Sequence, residues 1–175
     1  MPPIDPSTVD GLTVRYVLDV GADRIDEADS MLQFDDYAAS IRSARYCEGA
    51  VILAAEGQES LALNDALPFL VKELCFRSMR PLSDGKSVTV PFFMTGVDVV
   101  ASVHGGQIEL SLTLGGSFHF EKRSMMNALF QCGRRFTAFH SRLWAGLPDH
   151  RLDVANLEQE CADAAQVLAS AARSG

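Results

Sequence analysis

The stretch HGGQIELSLTLGGSFHF, residues 104–120, holds two histidines, His104 and His119, each near a Gly-Gly pair. These residue types could serve two kinds of chemistry. Paired glycines can cradle a phosphate, but that use needs a strand before them and a helix N-terminus after them. A His-Gly-Gly run can form an oxyanion loop, but that use goes with a G-x-S-x-G nucleophile turn, which the sequence lacks. Here each pair is followed by alternating apolar and polar residues, so the glycines read as hairpin turns.

The same alternation predicts what the histidines can reach. Matching apolar faces across the turns aligns Phe93, Asp98, Thr113 and His119 on one polar face. Asp98 and His119 then sit two strands apart, roughly 10 Å, beyond a direct bond. No nucleophile completes a triad, so the face reads as a solvated sheet surface with no catalytic residue. His140 and His104 are isolated, and no H-x-x-x-H or H-E-x-x-H spacing is present, so no metal and no cofactor is expected. Cys47, Cys75, Cys132 and Cys161 form no C-x-x-C pair and fall mostly on apolar faces; they read as reduced, buried thiols.

The elements that would carry these residues follow from periodicity. Leu12, Val14, Tyr16, Leu18 and Val20 alternate as a half-buried strand, and GAVILAAEG is a buried one. NDALPFLVKELCFRSMR predicts a helix over 64–80, capped by Asn64, with Pro68 in its first turn and Leu67, Leu70, Val71 and Leu74 facing the core. Four strands follow as a meander at about 87–121. Two-residue loops at 95–96 and 105–106 pair 92 with 99, 90 with 101, 103 with 108 and 101 with 110. A three-residue loop, Gly115-Gly116-Ser117, pairs Leu114 with Phe118 and Leu112 with Phe120. A helix over 121–145 carries Met125, Leu129, Cys132, Phe136, Phe139 and Leu143 as its core stripe. A last helix, 153–173, has a narrower stripe of Val154, Leu157, Cys161, Ala164, Leu168 and Ala171, fit to dock on the domain or to pair two copies as a homodimer. The expected fold is α+β: one antiparallel sheet of five to six strands with helices on one face. Residues 1–11 form a flexible tail, and 12–175 a single domain.

Charge is the most informative feature. The net charge is −8; residues 1–65 carry 13 acidic and 4 basic side chains, a net of −9, whereas residues 66–175 carry 10 and 11, a net of +1. The excess is densest in DVGADRIDEADSMLQFDD, where Asp19, Asp23, Asp26, Glu27, Asp29, Asp35 and Asp36 face a single Arg24. This stretch reads as an acidic loop that repels nucleic acid and attracts a basic protein. It lacks the EF-hand spacing. Arg123, Arg134, Arg135 and Arg142 gather on the penultimate helix away from its core stripe; they could bind phosphate or nucleic acid, but read better as an ordinary charged face, or one partly neutralised by the acidic segment. No apolar run is long enough to span a membrane, and the N-terminus lacks the pattern of a signal peptide, so the expected setting is cytoplasmic.

The acidic segment, followed in order by ALPFLVKELCFRSM, VTVPFFMTGVDVVASV, IELSLTL and NALFQCGRRFTAF, resembles at class level the small acidic bacterial immunity-type proteins that neutralise toxins, over about residues 12–145. It also resembles the acidic secretion chaperones, apart from their opening amphipathic helix. The resemblance implies a non-catalytic protein-binding module engaging a basic partner, such as a toxin; the charge density, not the resemblance, assigns the contact to Asp19, Asp23, Asp26, Glu27, Asp29, Asp35 and Asp36. It carries no residue-level motif and so transfers no catalytic residue. The alternative is a small-molecule-binding or enzymatic domain with a pocket between the sheet and helix 121–145.

Overall fold

The computed structural model describes residues 7–94, 96 and 98–174. Its first sheet is organised by β2 (Leu12–Val20), whose alternation buries Leu12, Val14, Tyr16 and Leu18 on one face. β4 (Glu48–Ala55) pairs antiparallel along all of it up to Asp19, from Leu12 opposite Ala55 to Asp19 opposite Glu48. β5 (Leu61–Ala66) lies beyond β4. On the other side of β2, β1 (Thr8–Val9) and β3 (Asp23–Asp26) share one edge. At Gly49 the backbones come so close that a Cβ would stand 1.9 Å from the Val17 carbonyl oxygen, so only glycine fits. Thr8 and Val9 fall within the stretch expected as a tail; residues 1–6 of that stretch lie outside the described residues.

The second sheet is the meander β6 (Val88–Pro91), β7 (Asp98–His104), β8 (Gln107–Leu112) and β9 (Ser117–Glu121), in sequence order. The α+β class therefore holds, with the strands divided between a sheet of five and a sheet of four. The turn at 105–106 has the expected register, with Val103 opposite Ile108 and Ala101 opposite Leu110. The other two turns are longer than expected. Val90, not Phe92, faces Val99, which leaves a loop over 92–97 in which Thr95 and Val97 lie outside the described residues. Leu110 faces Phe118 and Ile108 faces Phe120, a register four residues from the expected one, so the loop extends over 112–116. Both corrections have one cause. Alternation fixes which face a residue takes, and a shift of two or four residues leaves every face unchanged. The first loop is drawn out by Asp65, whose carboxylate accepts from the Phe93 and Met94 amides at 2.6 and 2.9 Å.

The acidic segment is not a loop. After β3 it forms α1 (Glu27–Leu32) and α2 (Phe34–Ala44). Asp26 caps α1, its carboxylate accepting from the Ala28 amide at 3.2 Å, and Glu27 and Asp29 suit the positive end of the helix. In α2, Phe34, Ala38 and Ile41 recur at helical spacing and are buried. The helix expected from 64 begins at Leu67 instead. Leu61, Leu63 and Asp65 alternate as the inward face of β5, so Asn64 is a strand residue and not a cap. The chain then runs as α3 (Leu67–Leu70), a π-helix (Val71–Arg77) and α4 (Met79–Ser83). The wider π turn lets Leu74, Cys75 and Phe76, three residues in succession, all be buried.

α5 (Lys122–Leu143) touches β2 of the first sheet and β8 and β9 of the second. Its expected stripe, Met125, Leu129, Cys132, Phe136, Phe139 and Leu143, is entirely buried. It meets the π-helix at Gly133, where a Cβ would stand 2.6 Å from the Phe76 ring. α6 (Arg151–Ser174) docks on α5, the π-helix and α4, burying Leu157 and Ala164. Arg77 to Glu160 (2.7 Å) and Ser141 to Glu158 (2.7 Å) tie it down.

Candidate functional site

The seven acidic residues separate into two groups. Three are occupied within the fold. Asp19 accepts two hydrogen bonds from Arg24 at 2.8 and 3.0 Å, and the same guanidinium continues to the Asn64 side-chain oxygen at 2.8 Å. Asp26 pairs with Arg15 while capping α1. Glu27 is buried, and so is not part of the acidic surface expected of it. Arg135 donates to it from Nε at 2.5 Å and also to the Val14 carbonyl at 2.8 Å, and the Tyr16 amide donates to it at 3.1 Å. Burial pushes its carboxyl above the ordinary range, against the opposing pull of Arg135. Glu27 and Arg135 thus bolt α1 to β2 and α5.

Asp23, Asp29, Asp35 and Asp36 are exposed, and no side-chain ion pair engages them among the described residues. Three of these belong to the corner formed by α1 and α2. Beside them Met31 and Leu32 are 44% and 82% exposed. A shallow cavity of about 210 Å³ lies there, lined by Met31, Leu32, Phe34, Asp35, Asp36 and Arg142. The Arg142 guanidinium stacks 3.8 Å over the Phe34 ring and closes one side.

The alternative reading places a pocket between the sheet and α5. Tyr16, Phe136 and Phe139 interlock there with ring centroids 5.3, 6.0 and 6.3 Å apart, and all three are almost fully buried. A second cavity, of about 270 Å³, opens at the far end of α5, beside Trp144, Leu147, Arg151 and Glu158. Trp144 stacks on His150 at 3.7 Å. His140 is buried next to it, and its Nδ1 has no hydrogen-bond partner. Burial lowers its pKa to about 4, with His150 adding to the effect and Asp153 and Glu158 opposing it.

His119 stands opposite Glu109 on β8, not opposite Thr113. Asp98 and Thr113 do meet, the Thr113 hydroxyl donating to the Asp98 carbonyl at 2.8 Å. His104 Nε2 lies 3.5 Å from the other oxygen of Glu109, and the Ser117 hydroxyl bonds the first. That hydrogen bond holds the Glu109 carboxyl below its usual range, with His119 and His104 adding to the effect. Ser117 is 3.4 Å from His119 Nε2, but it hydrogen-bonds the carboxylate, so the trio is no nucleophile–base–orienter relay. The signal in the sequence was Glu109 itself, outward-facing between the two histidines.

The four cysteines are free thiols. Cys75 and Cys132 are fully buried, and burial pushes the Cys47 thiol up to about 12. Among the described residues no group of three or more His, Cys, Asp or Glu could hold a metal ion, and no helix is long and apolar enough to cross a membrane. The chain matches no protein-family model, no curated protein and no solved structure.

Proposed function

We propose that this chain is a non-catalytic, cytoplasmic protein-binding module whose α1–α2 corner engages a basic protein, as the resemblance to immunity-type proteins implies. The observation that carries the reading is the juxtaposition of unpaired Asp29, Asp35 and Asp36 with exposed Met31 and Leu32. Such a corner offers a partner both components of recognition. Burying Leu32 and Met31 supplies apolar contact, and the carboxylates attract and orient a cationic surface. Asp23 extends the field; Asp19 and Asp26 are largely neutralised by their own arginines, and Glu27 is structural. The free thiols suit a reducing compartment.

The test is kinetic. A protein captured from the native host, then identified and purified, is measured against the wild type and against Asp29→Asn/Asp35→Asn/Asp36→Asn at two ionic strengths. The association rate should fall about threefold to tenfold in the variant and fall with salt in the wild type. An association rate indifferent to both changes would overturn the reading.

A further inference from the structure

Independently of the acidic corner, the cavity of about 270 Å³ at the far end of α5 sets two opposite charges against apolar walls. It lies between the end of α5 and the first two turns of α6, closed on one side by the connection over 144–148. We propose that it binds a short zwitterionic peptide, of dipeptide length and with an apolar C-terminal side chain, whose ammonium meets Glu158 and whose carboxylate meets Arg151.

The charges come first. Arg151 and Glu158 both line the cavity, and no ion pair engages either of them among the described residues. The Ser141 hydroxyl donates to Glu158 Oε1 at 2.7 Å, which steadies the carboxylate and leaves Oε2 for an ammonium. The two residues are two helical turns apart, so they share a face of α6 at about 10.5 Å along its axis. An extended chain covers about 3.5 Å per residue, and a charge-assisted hydrogen bond at each end adds about 2.8 Å. A dipeptide therefore spans about 12–13 Å between the two side chains, and a single amino acid only about 9 Å. Opposite signs at the two ends also fix direction: a dication is repelled by Arg151 and a dianion by Glu158.

Trp144, Leu147 and Val154 supply the apolar wall. Trp144 is held in place by the His150 ring stacked on it at 3.7 Å. The Trp144 amide donates to the His140 carbonyl and the Leu147 amide to the Trp144 carbonyl, each at 3.1 Å, so the connection is set before a ligand arrives. Leu147 is 40% exposed, and an apolar side chain seated beside it removes that surface from water. The volume limits the ligand from above. It falls short of the roughly 300–1,000 Å³ of sites for drug-sized molecules, so the occupant is small.

Trp144 is the only tryptophan in the chain, so its fluorescence reports from the site itself. The test is titration of the full chain with L-alanyl-L-leucine at pH 7.5, followed by that fluorescence and by the NMR shifts of backbone amides. One saturable site is expected, with shifts confined to the end of α5, the connection and the first two turns of α6. Arg151→Gln and Glu158→Gln should each weaken binding about threefold to tenfold, between the small worth of an exposed ion pair and the larger worth of a charged hydrogen bond. Blocked peptides assign the two ends. The C-terminal amide should bind the wild type and Arg151→Gln equally, and the N-acetyl peptide should bind the wild type and Glu158→Gln equally. Free L-leucine should bind more weakly than the dipeptide, and Arg173→Gln, near the other end of α6, should leave binding unchanged. The substituted side chains are exposed, and circular dichroism verifies folding. No saturable change in either signal, affinity undiminished in Arg151→Gln or Glu158→Gln, or a blocked peptide or L-leucine binding as tightly as the dipeptide, would overturn the proposal.

Discussion

Acidification should weaken the fold through a single buried ring. His140 is 3% exposed, lies 5.7 Å from the Phe136 ring and 6.3 Å from Trp144, and keeps Nδ1 without a hydrogen bond. Burial holds its pKa at about 4 in the fold, against an ordinary value of about 6.5 for an imidazole in water. The unfolded chain therefore takes up a proton first as pH falls. Stability from this group is fully present above pH 6.5, declines through the interval from 6.5 to 4 and is gone below. The difference of about 2.5 pKa steps amounts to about 3 kcal/mol in all, of which about 2 kcal/mol is lost by pH 5. Glu109, hydrogen-bonded by Ser117, is held low, as is Glu121, where hydrogen bonds from Ser124 and Arg123 outweigh burial, so each adds a loss of stability in the same direction as pH falls. Glu27, raised by burial, takes up its proton more readily when folded and so works in the opposite direction. The assay is urea unfolding followed by circular dichroism from pH 7.5 to 4.5, on the wild type and on His140→Phe, which removes the titrating ring and keeps an aromatic in an aromatic setting. The wild type should approach a slope of about 1.4 kcal/mol per pH step near pH 5, and the variant should be nearly flat. An equal slope in both proteins would refute the reasoning.

Glu27→Ala should destabilise the protein by about 3–5 kcal/mol, because it strands the Arg135 guanidinium, whereas Asp29→Asn/Asp35→Asn/Asp36→Asn should change stability by no more than about 0.5 kcal/mol per site; thermal and urea unfolding compare the two. Asp65→Ala should release the 92–97 loop at a cost of about 1–3 kcal/mol, visible as faster hydrogen exchange at the Phe93 and Met94 amides and unchanged exchange in β8. Gly49→Ala should be among the most disruptive single-methyl additions, since the Val17 carbonyl occupies the space; expression with a lowered melting temperature, or failure to fold, is expected, against little change for Gly106→Ala at its open turn. In the native protein a thiol reagent should label Cys161 ahead of Cys47, Cys75 and Cys132, as mass spectrometry after timed quenching would show.

The parts of the fold legible in the sequence are those where a long period repeats without competition. The stripe of α5 runs for 22 residues, so its six core positions are unambiguous. Alternation in β2, β4 and β8 identifies strands and faces, but it gives parity only, and two of three hairpin registers moved by even steps. That shift carried His119 from Thr113 to Glu109 and so made the histidine the neighbour of a carboxylate. α2 was obscured differently. Phe34, Ala38 and Ile41 have helical spacing, but the charges around them read as a loop when counted rather than placed. Asn64 shows the reverse error, a residue with good capping chemistry standing inside a strand because Leu61 and Leu63 face the core. Asp65 was invisible as a clamp, since nothing local says that its oxygens reach amides 28 and 29 residues away.

Net charge alone treats the N-terminal carboxylates as one field, but the fold gives them opposite roles. Asp65 and Glu27 are buried, and each accepts backbone amides from distant segments; removing either removes architecture. Asp19 and Asp26 hold arginines across β2 and β3 and contribute little to the field seen by a partner. What has no side-chain ion pair among the described residues, Asp29, Asp35 and Asp36 with Asp23, is a smaller set than the sequence count suggests, and most of it is concentrated on two short helices that also expose Leu32. Repulsion among exposed like charges disfavours the folded state, and leaving Leu32 in water forfeits about 1.5–3 kcal/mol of burial. Neither feature helps the isolated domain. Both are relieved by one event, the seating of a cationic surface with an apolar projection on the α1–α2 corner. A partner contacting these carboxylates without covering Leu32 would gain rate but little affinity. Leu32→Ser should therefore raise the dissociation rate and leave association nearly unchanged, the converse of the triple-Asn variant. If both changes alter the same rate constant, charge and apolar contact do not divide the recognition between them.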